Sequence, residues 1–169
     1  MSSSVKLITR TALFLAIAVI LPIGFHQFGM GGRLFLPMHI PVLLAGFIVG
    51  PISGVIVGLL APLSSFLFTG MPPAYAVPLM SIELPLYGLT AGLAYRRLKL
   101  NVYIALIVAM IAGRLGFALG LLILGQFLQL PYGIKEFFSA SVIAGLPGIA
   151  VQLVFIPPIV ATLMRRRQI

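Results

Sequence analysis

The chain has 169 residues, 61% hydrophobic and 8% charged, with no cysteine and a formal net charge of +9. Soluble domains carry roughly a quarter charged residues and about half apolar ones, so the composition excludes an ordinary soluble domain and points to the membrane class. Without cysteine there are no disulfides or thiolate metal sites, and the redox compartment stays open.

Apolar stretches long enough to cross hydrocarbon recur along the whole length. They predict an all-α integral membrane protein: one membrane domain over 1–169, a six-helix bundle with helices near 5–24, 39–50, 52–68, 79–96, 102–126 and 139–163. The first segment opens on Lys6 and Arg10 ahead of an apolar core, as a signal peptide does. Its Ala16-Ile17-Ala18 triplet falls inside the apolar run rather than after it, so a retained helix is expected. Ala12 and Ala16 sit four apart on that helix and allow close approach by another helix.

The next run, Leu36 to Pro73, is apolar but interrupted by Gly50-Pro51, and its glycines Gly46, Gly50, Gly54 and Gly58 keep a spacing of four. It reads as two helices turning tightly on each other, or as one long helix kinked at proline. Charge decides between these. With six spans, both termini and the Arg96–Lys99 loop lie together on the cytoplasmic side, where basic clusters belong; five spans would separate them. The second helix is then about 12 residues, or roughly 18 Å, and must be tilted, extended or buried in protein. The same basic clusters stand at helix ends rather than on one solvent face, which argues against nucleic-acid binding.

Six spans make 25–38, 69–78 and 127–138 the outward loops. They hold His26, Gln27, Arg33, His39, Tyr75, Gln126, Gln129, Tyr132, Lys135 and Glu136. Gly31 and Gly32 loosen the first loop, while Pro72 and Pro73 stiffen the one after Met71. Such a pair suits either a lid over a pocket or plain solvated connectors. Further small-residue stripes, Gly88/Gly92, Ala112/Gly116/Gly120 and Ala140/Ala144/Gly148, predict internal packing.

Glu83 and Arg114 are the charged residues that fall clearly within spans. Each costs about 2.5–3.5 kcal/mol at a helix centre on insertion scales and needs compensation. A Glu83–Arg114 salt bridge fixing register is one solution. The other is a cavity for a small polar molecule, with Glu83 and Arg114 anchoring opposite groups and Tyr87 and Gln152 as hydrogen-bonding walls. Ser141, Gly145, Gly148 and Gln152 share one face of the last helix. His39 precedes Pro41 at a helix start and is expected to face the pocket or the interface. His26 and His39 have no evident carboxylate partner, so no metal site is expected. A phosphate loop and a nucleophile–base constellation are both missing, and the two acidic residues cannot furnish a catalytic metal site. No enzyme and no cofactor is therefore expected. A self-sufficient transporter using Glu83 as proton carrier, or a ligand-free membrane assembly protein, remain alternatives.

Phe35-Leu36-Pro37-Met38-His39-Ile40-Pro41-Val42-Leu43-Leu44-Ala45-Gly46, the Gly50-Pro51 turn, Thr69-Gly70-Met71-Pro72-Pro73, Glu83-Leu84-Pro85-Leu86-Tyr87-Gly88 and the Ala12/Ala16 stripe carry a family resemblance. Over nearly its full length the chain resembles the substrate-binding S component of energy-coupling factor (ECF) vitamin transporters. The resemblance implies a six-helix fold with both termini cytoplasmic, in a prokaryotic plasma membrane. It also implies three partners besides ligand: a membrane coupling subunit and two cytoplasmic ATPases, with Ala12 and Ala16 docking on the coupling subunit. The pocket would lie near the outer surface beneath the loops around Arg33 and Met71. Gly31, Gly32, Met71, Pro72 and Pro73 would then be gating positions. The implied ligand is a vitamin of pantothenate or cobalamin type, and one cationic and one anionic site suit a carboxylate-bearing ligand such as pantothenate slightly better.

Overall fold

A computed structural model describes residues 3–27, 36–127 and 133–165. Six helices, and no strand, are found among the described residues. They are α1 (Ser3–Gln27), α2 (His39–Leu44, continued by a π turn Ala45–Val49), α3 (Pro51–Thr69), α4 (Ala76–Gly92, continued by a π turn Leu93–Arg97), α5 (Val102–Leu124) and α6 (Ile134–Arg165). Five of them, all but α2, are long and apolar enough to cross a membrane.

Local chemistry sets the helix ends. Gly50 takes φ 146°, which L side chains rarely adopt, and Pro51 starts α3 at the position where its missing N–H costs nothing. The run is therefore two helices and not one kinked at proline. Gly70 closes α3 in the left-handed region, its N–H donating to the Phe66 carbonyl. Asn101 caps α5 by accepting from the Tyr103 N–H at 2.9 Å.

The short helix α2 is the centre of the bundle. It packs against α1, α3, α4 and α6, while α5 closes the ring between α4 and α6. Residues 41–47 are all buried, with Val42, Leu43, Ala45 and Phe47 fully so. Of the three ways a short helix survives in a membrane, burial in protein is the one used here. Around it, Leu84, Tyr87, Ala91, Leu106, Ala109 and Ile156 complete the core. Outward, Ile104, Ile107, Ile111, Leu115, Leu119 and Leu122 line the exposed side of α5 at helical spacing, as a lipid-facing surface does.

Several expectations change. The four-spaced glycines were expected to pack α2 on α3; they face α4 instead. A Cβ on Gly54 would lie 2.6 Å from the Gly88 carbonyl carbon, and one on Gly58 2.6 Å from that of Leu84. Gly46 also meets Gly88, Gly50 meets Arg96, and Gly92 meets Pro51. Helix α4 therefore lies in the crease of the α2–α3 hairpin, where only hydrogen side chains leave room. On α5 the stripe is Gly113/Gly116/Gly120 rather than Ala112/Gly116/Gly120, and it receives Tyr87, Leu86 and Ile82 of α4. The long helices also overrun their expected ends. His26 and Gln27 belong to α1, and Lys135 and Glu136 to the first turn of α6, instead of to loops.

Arg96, assigned by sequence to a basic loop, is half-buried and turns back into the fold. Its Nη1 donates to the carbonyls of Ile48, at 3.1 Å, and Val49. These are among the last carbonyls of α2, which have no partner within their own helix. A guanidinium placed there satisfies them and complements the negative helix end.

Candidate functional site

Glu83 stands on the inner face of α4 and is 3% exposed. A carboxylate in that position needs a counter-charge, and α5 supplies it. Arg114 Nη1 lies 3.2 Å from Glu83 Oε1. The contact is one of charge more than of alignment, since Glu83 Oε1 makes no hydrogen bond of acceptable geometry. The two intramembrane charges thus do pair.

The same carboxylate oxygen faces a second partner that sequence reasoning denied it. His39 Nε2 at the start of α2 is 3.7 Å away, so the reading that His39 lacks a carboxylate neighbour was wrong. Nothing within α2 announces that pair, because the two residues meet only when α2 is seated against α4. The imidazole also packs edge-on against the Tyr87 ring, at 5.0 Å between centroids and 87° between planes. Tyr87 follows Glu83 by one helical turn, which puts both on one face of α4. Gly113 makes room for its ring; a Cβ there would overlap the Tyr87 ring edge.

On the far side of Arg114 lies α6. A Cβ at Gly145 would fall 2.5 Å from Arg114 Nη2 and 3.4 Å from a Leu36 methyl. Arg114 therefore sits in a slot floored by glycine, beside Leu36, which holds a left-handed φ of 47° unusual for a branched side chain. Two turns further along α6, Gln152 is 1% exposed.

The defining property of this region is unmet hydrogen-bonding capacity. His39 Nδ1 and Nε2, Ser81 Oγ, Glu83 Oε1, Arg114 Nε and Nη2, and both amide atoms of Gln152 are buried without a hydrogen-bond partner. Buried polar atoms in folded proteins are almost always satisfied, and each exception asks for an explanation. Here they come from α2, α4, α5 and α6, and those of His39, Glu83 and Arg114 belong to one charged group.

Residues toward the other end of α5 and α6 are aromatic. Phe117, one turn from Arg114, stacks on Phe137 and Phe138 of α6, and Tyr75 meets Phe137 edge-on at 5.9 Å. Sequence reasoning missed this cluster, although Phe137 precedes Ser141 by one turn on the face already singled out for α6. Ser141 donates to the Phe137 carbonyl at 2.8 Å.

Of the expected site residues, His39, Glu83, Tyr87 and Arg114 come together. Gln152 is buried and unpaired but bonded to none of them. Thr90, on the same α4 face by periodicity, turns its hydroxyl to the Leu86 carbonyl of its own helix. Met71 is exposed, and Pro72 and Pro73 are half-buried. Gly31, Gly32 and Arg33 lie outside the described residues. Ala12 and Ala16 are exposed on α1.

No curated protein and no solved structure matches the chain. The family model described as "ECF transporter, substrate-specific component" matches residues 6–163. That span takes in all six helices but the outermost turns. Members of this family are transporter subunits rather than enzymes, and the apolar helices fit a multi-pass membrane protein. The chain belongs to the family of substrate-specific components of ECF transporters.

Proposed function

We propose that this chain binds a vitamin or related micronutrient, of pantothenate or cobalamin type, with high affinity and carries it across a prokaryotic plasma membrane. In this reading it crosses the bilayer six times with both termini in the cytoplasm. It depends on a membrane coupling subunit and two cytoplasmic ATPases for energy. The ligand lies among Arg33, His39, Glu83, Tyr87, Arg114 and Gln152, and the segments at Gly31–Gly32 and Met71–Pro73 form the entrance.

The observation that carries the reading is the set of buried polar atoms without hydrogen-bond partners on α2, α4, α5 and α6. A purely structural Glu83–Arg114 bridge accounts for the charges but leaves Gln152 and the second edge of Arg114 without purpose. Burying donors and acceptors without partners costs stability, and a ligand that completes those of His39 and Arg114 recovers it. The exposed Ala12 and Ala16 support a docking role for α1, since small residues let another helix approach closely.

Native mass spectrometry of the detergent-purified chain against a vitamin panel tests the binding claim. One ligand is expected to stay bound at a ratio of one to one. Proteoliposomes then test the coupling: the chain alone is expected not to concentrate that ligand, with or without a proton gradient, and the complex with the coupling subunit and ATPases is expected to do so on ATP addition. Gradient-driven uptake by the chain alone would replace this reading with that of a secondary transporter.

A further inference from the structure

The two edges of the Arg114 guanidinium are used differently. Its Nη1 faces Glu83. Its Nε and Nη2, which together form the side-on fork of the planar group, are buried and have no partner. Two parallel N–H groups on one edge match the two oxygens of a carboxylate. A fork left unpartnered beside a glycine slot is a half-built receptor.

Building on the binding reading above, we infer that the ligand carries a carboxylate, that the Nε/Nη2 edge of Arg114 holds it side-on, and that Glu83 positions this edge rather than anchoring a cationic ligand group. The glycine at 145 is part of the device. It lets Nη2 approach α6 so closely that a Cβ would stand 2.5 Å away. Leu36, whose methyl borders the same spot, is the side chain that moves aside on binding.

Three observations favour a carboxylate over other acceptors. A lone carbonyl offers the fork one uncharged oxygen to share between two donors, whereas a carboxylate gives each N–H its own charged oxygen. A phosphate brings more charge than the described residues can match there: among them, Lys6, Arg10, Arg97, Lys99, Lys135 and Arg165 are exposed, and Arg96 is committed to the α2 carbonyls. Glu83 already faces Arg114 and His39 through Oε1, so a second cation would share a carboxylate whose charge Arg114 matches.

The test uses the full chain in detergent and isothermal titration with acid–neutral pairs: pantothenate and pantothenol, biotin and biotinamide, nicotinate and nicotinamide, lipoate and lipoamide. One acid is expected to bind, with its neutral partner at least about tenfold weaker. Arg114→Lys keeps the charge facing Glu83 but has no fork; Gly145→Ala keeps the arginine but displaces Nη2. Each is expected to weaken the acid at least about tenfold while the ligand-free melting temperature shows the protein folded. A neutral partner that binds as well as its acid, or acid affinity unchanged in both variants, overturns the carboxylate assignment and leaves the binding site standing. If no member of any pair binds but cobalamin does, the carboxylate assignment falls and the binding reading stands; if no vitamin of a full panel binds, both fall together.

Discussion

Gly54 of α3 and Gly88 of α4 meet backbone to backbone. A Cβ on Gly54 would lie 2.6 Å from the Gly88 carbonyl carbon, and one on Gly88 2.5 Å from that of Gly54. In lipid, where apolar side chains gain little by leaving their surroundings, such contact is a main source of helix association. It also sets the depth at which α4 enters the α2–α3 crease, and so the height of Glu83 and Tyr87 opposite His39. Gly54→Ala and Gly88→Ala are each expected to destabilise by about 1–3 kcal/mol, as overpacking does, seen as a lower melting temperature in detergent. Gly24→Ala on α1, with nothing within 4 Å of the added methyl, is the control and should melt no lower than the parent.

Glu83 and Arg114 should behave as one energetic unit. Removing either by Glu83→Ala or Arg114→Ala leaves a charge inside the bundle without its main counter-charge, at a cost of up to about 3–5 kcal/mol. The double variant removes both charges and is expected to melt higher than at least one single variant. Additive losses in thermal unfolding would show that the 3.2 Å approach carries no coupling.

Arg96 should govern the end of α2 more than the bundle as a whole. With Arg96→Gln, the carbonyls of Ile48 and Val49 lose their guanidinium donor. Amide hydrogen exchange over 45–50 is expected to rise several-fold, with α5 unchanged, because local opening reports local loss of hydrogen bonds. Exchange that stays flat at 45–50 would remove the capping role.

The Tyr75–Phe137 contact is expected to restrict access to the site from its aromatic end. The chain contains no cysteine, so Ser141→Cys introduces a single thiol one turn from Phe137. Adding Tyr75→Ala should speed its modification by a water-soluble maleimide several-fold. Equal rates in the two backgrounds would mean that the aromatic contact closes nothing.

Ala12 and Ala16 separate binding from transport. A bulky side chain at either exposed position, as in Ala12→Trp or Ala16→Trp, should leave ligand affinity intact in detergent and reduce ATP-driven uptake in the full complex by at least about tenfold, by blocking close helix approach. Loss of affinity in the isolated chain would place these alanines in internal packing.

Much of this architecture was legible in the residues alone. Apolar length dictates the long helices, because unsatisfied backbone in hydrocarbon is prohibitive, and Gly50-Pro51 dictates a break because glycine admits φ 146° there and proline needs no N–H. The cost of burying Glu83 and Arg114 likewise required some partner for each. Tertiary structure alone decided who the partners are. Helical periodicity states which residues share a face, but not how far each helix is rotated and shifted against the next. That relative placement turned the glycines of α2 and α3 toward α4, joined His39 to Glu83, sent Arg96 to the α2 carbonyls and left one edge of Arg114 buried without a partner.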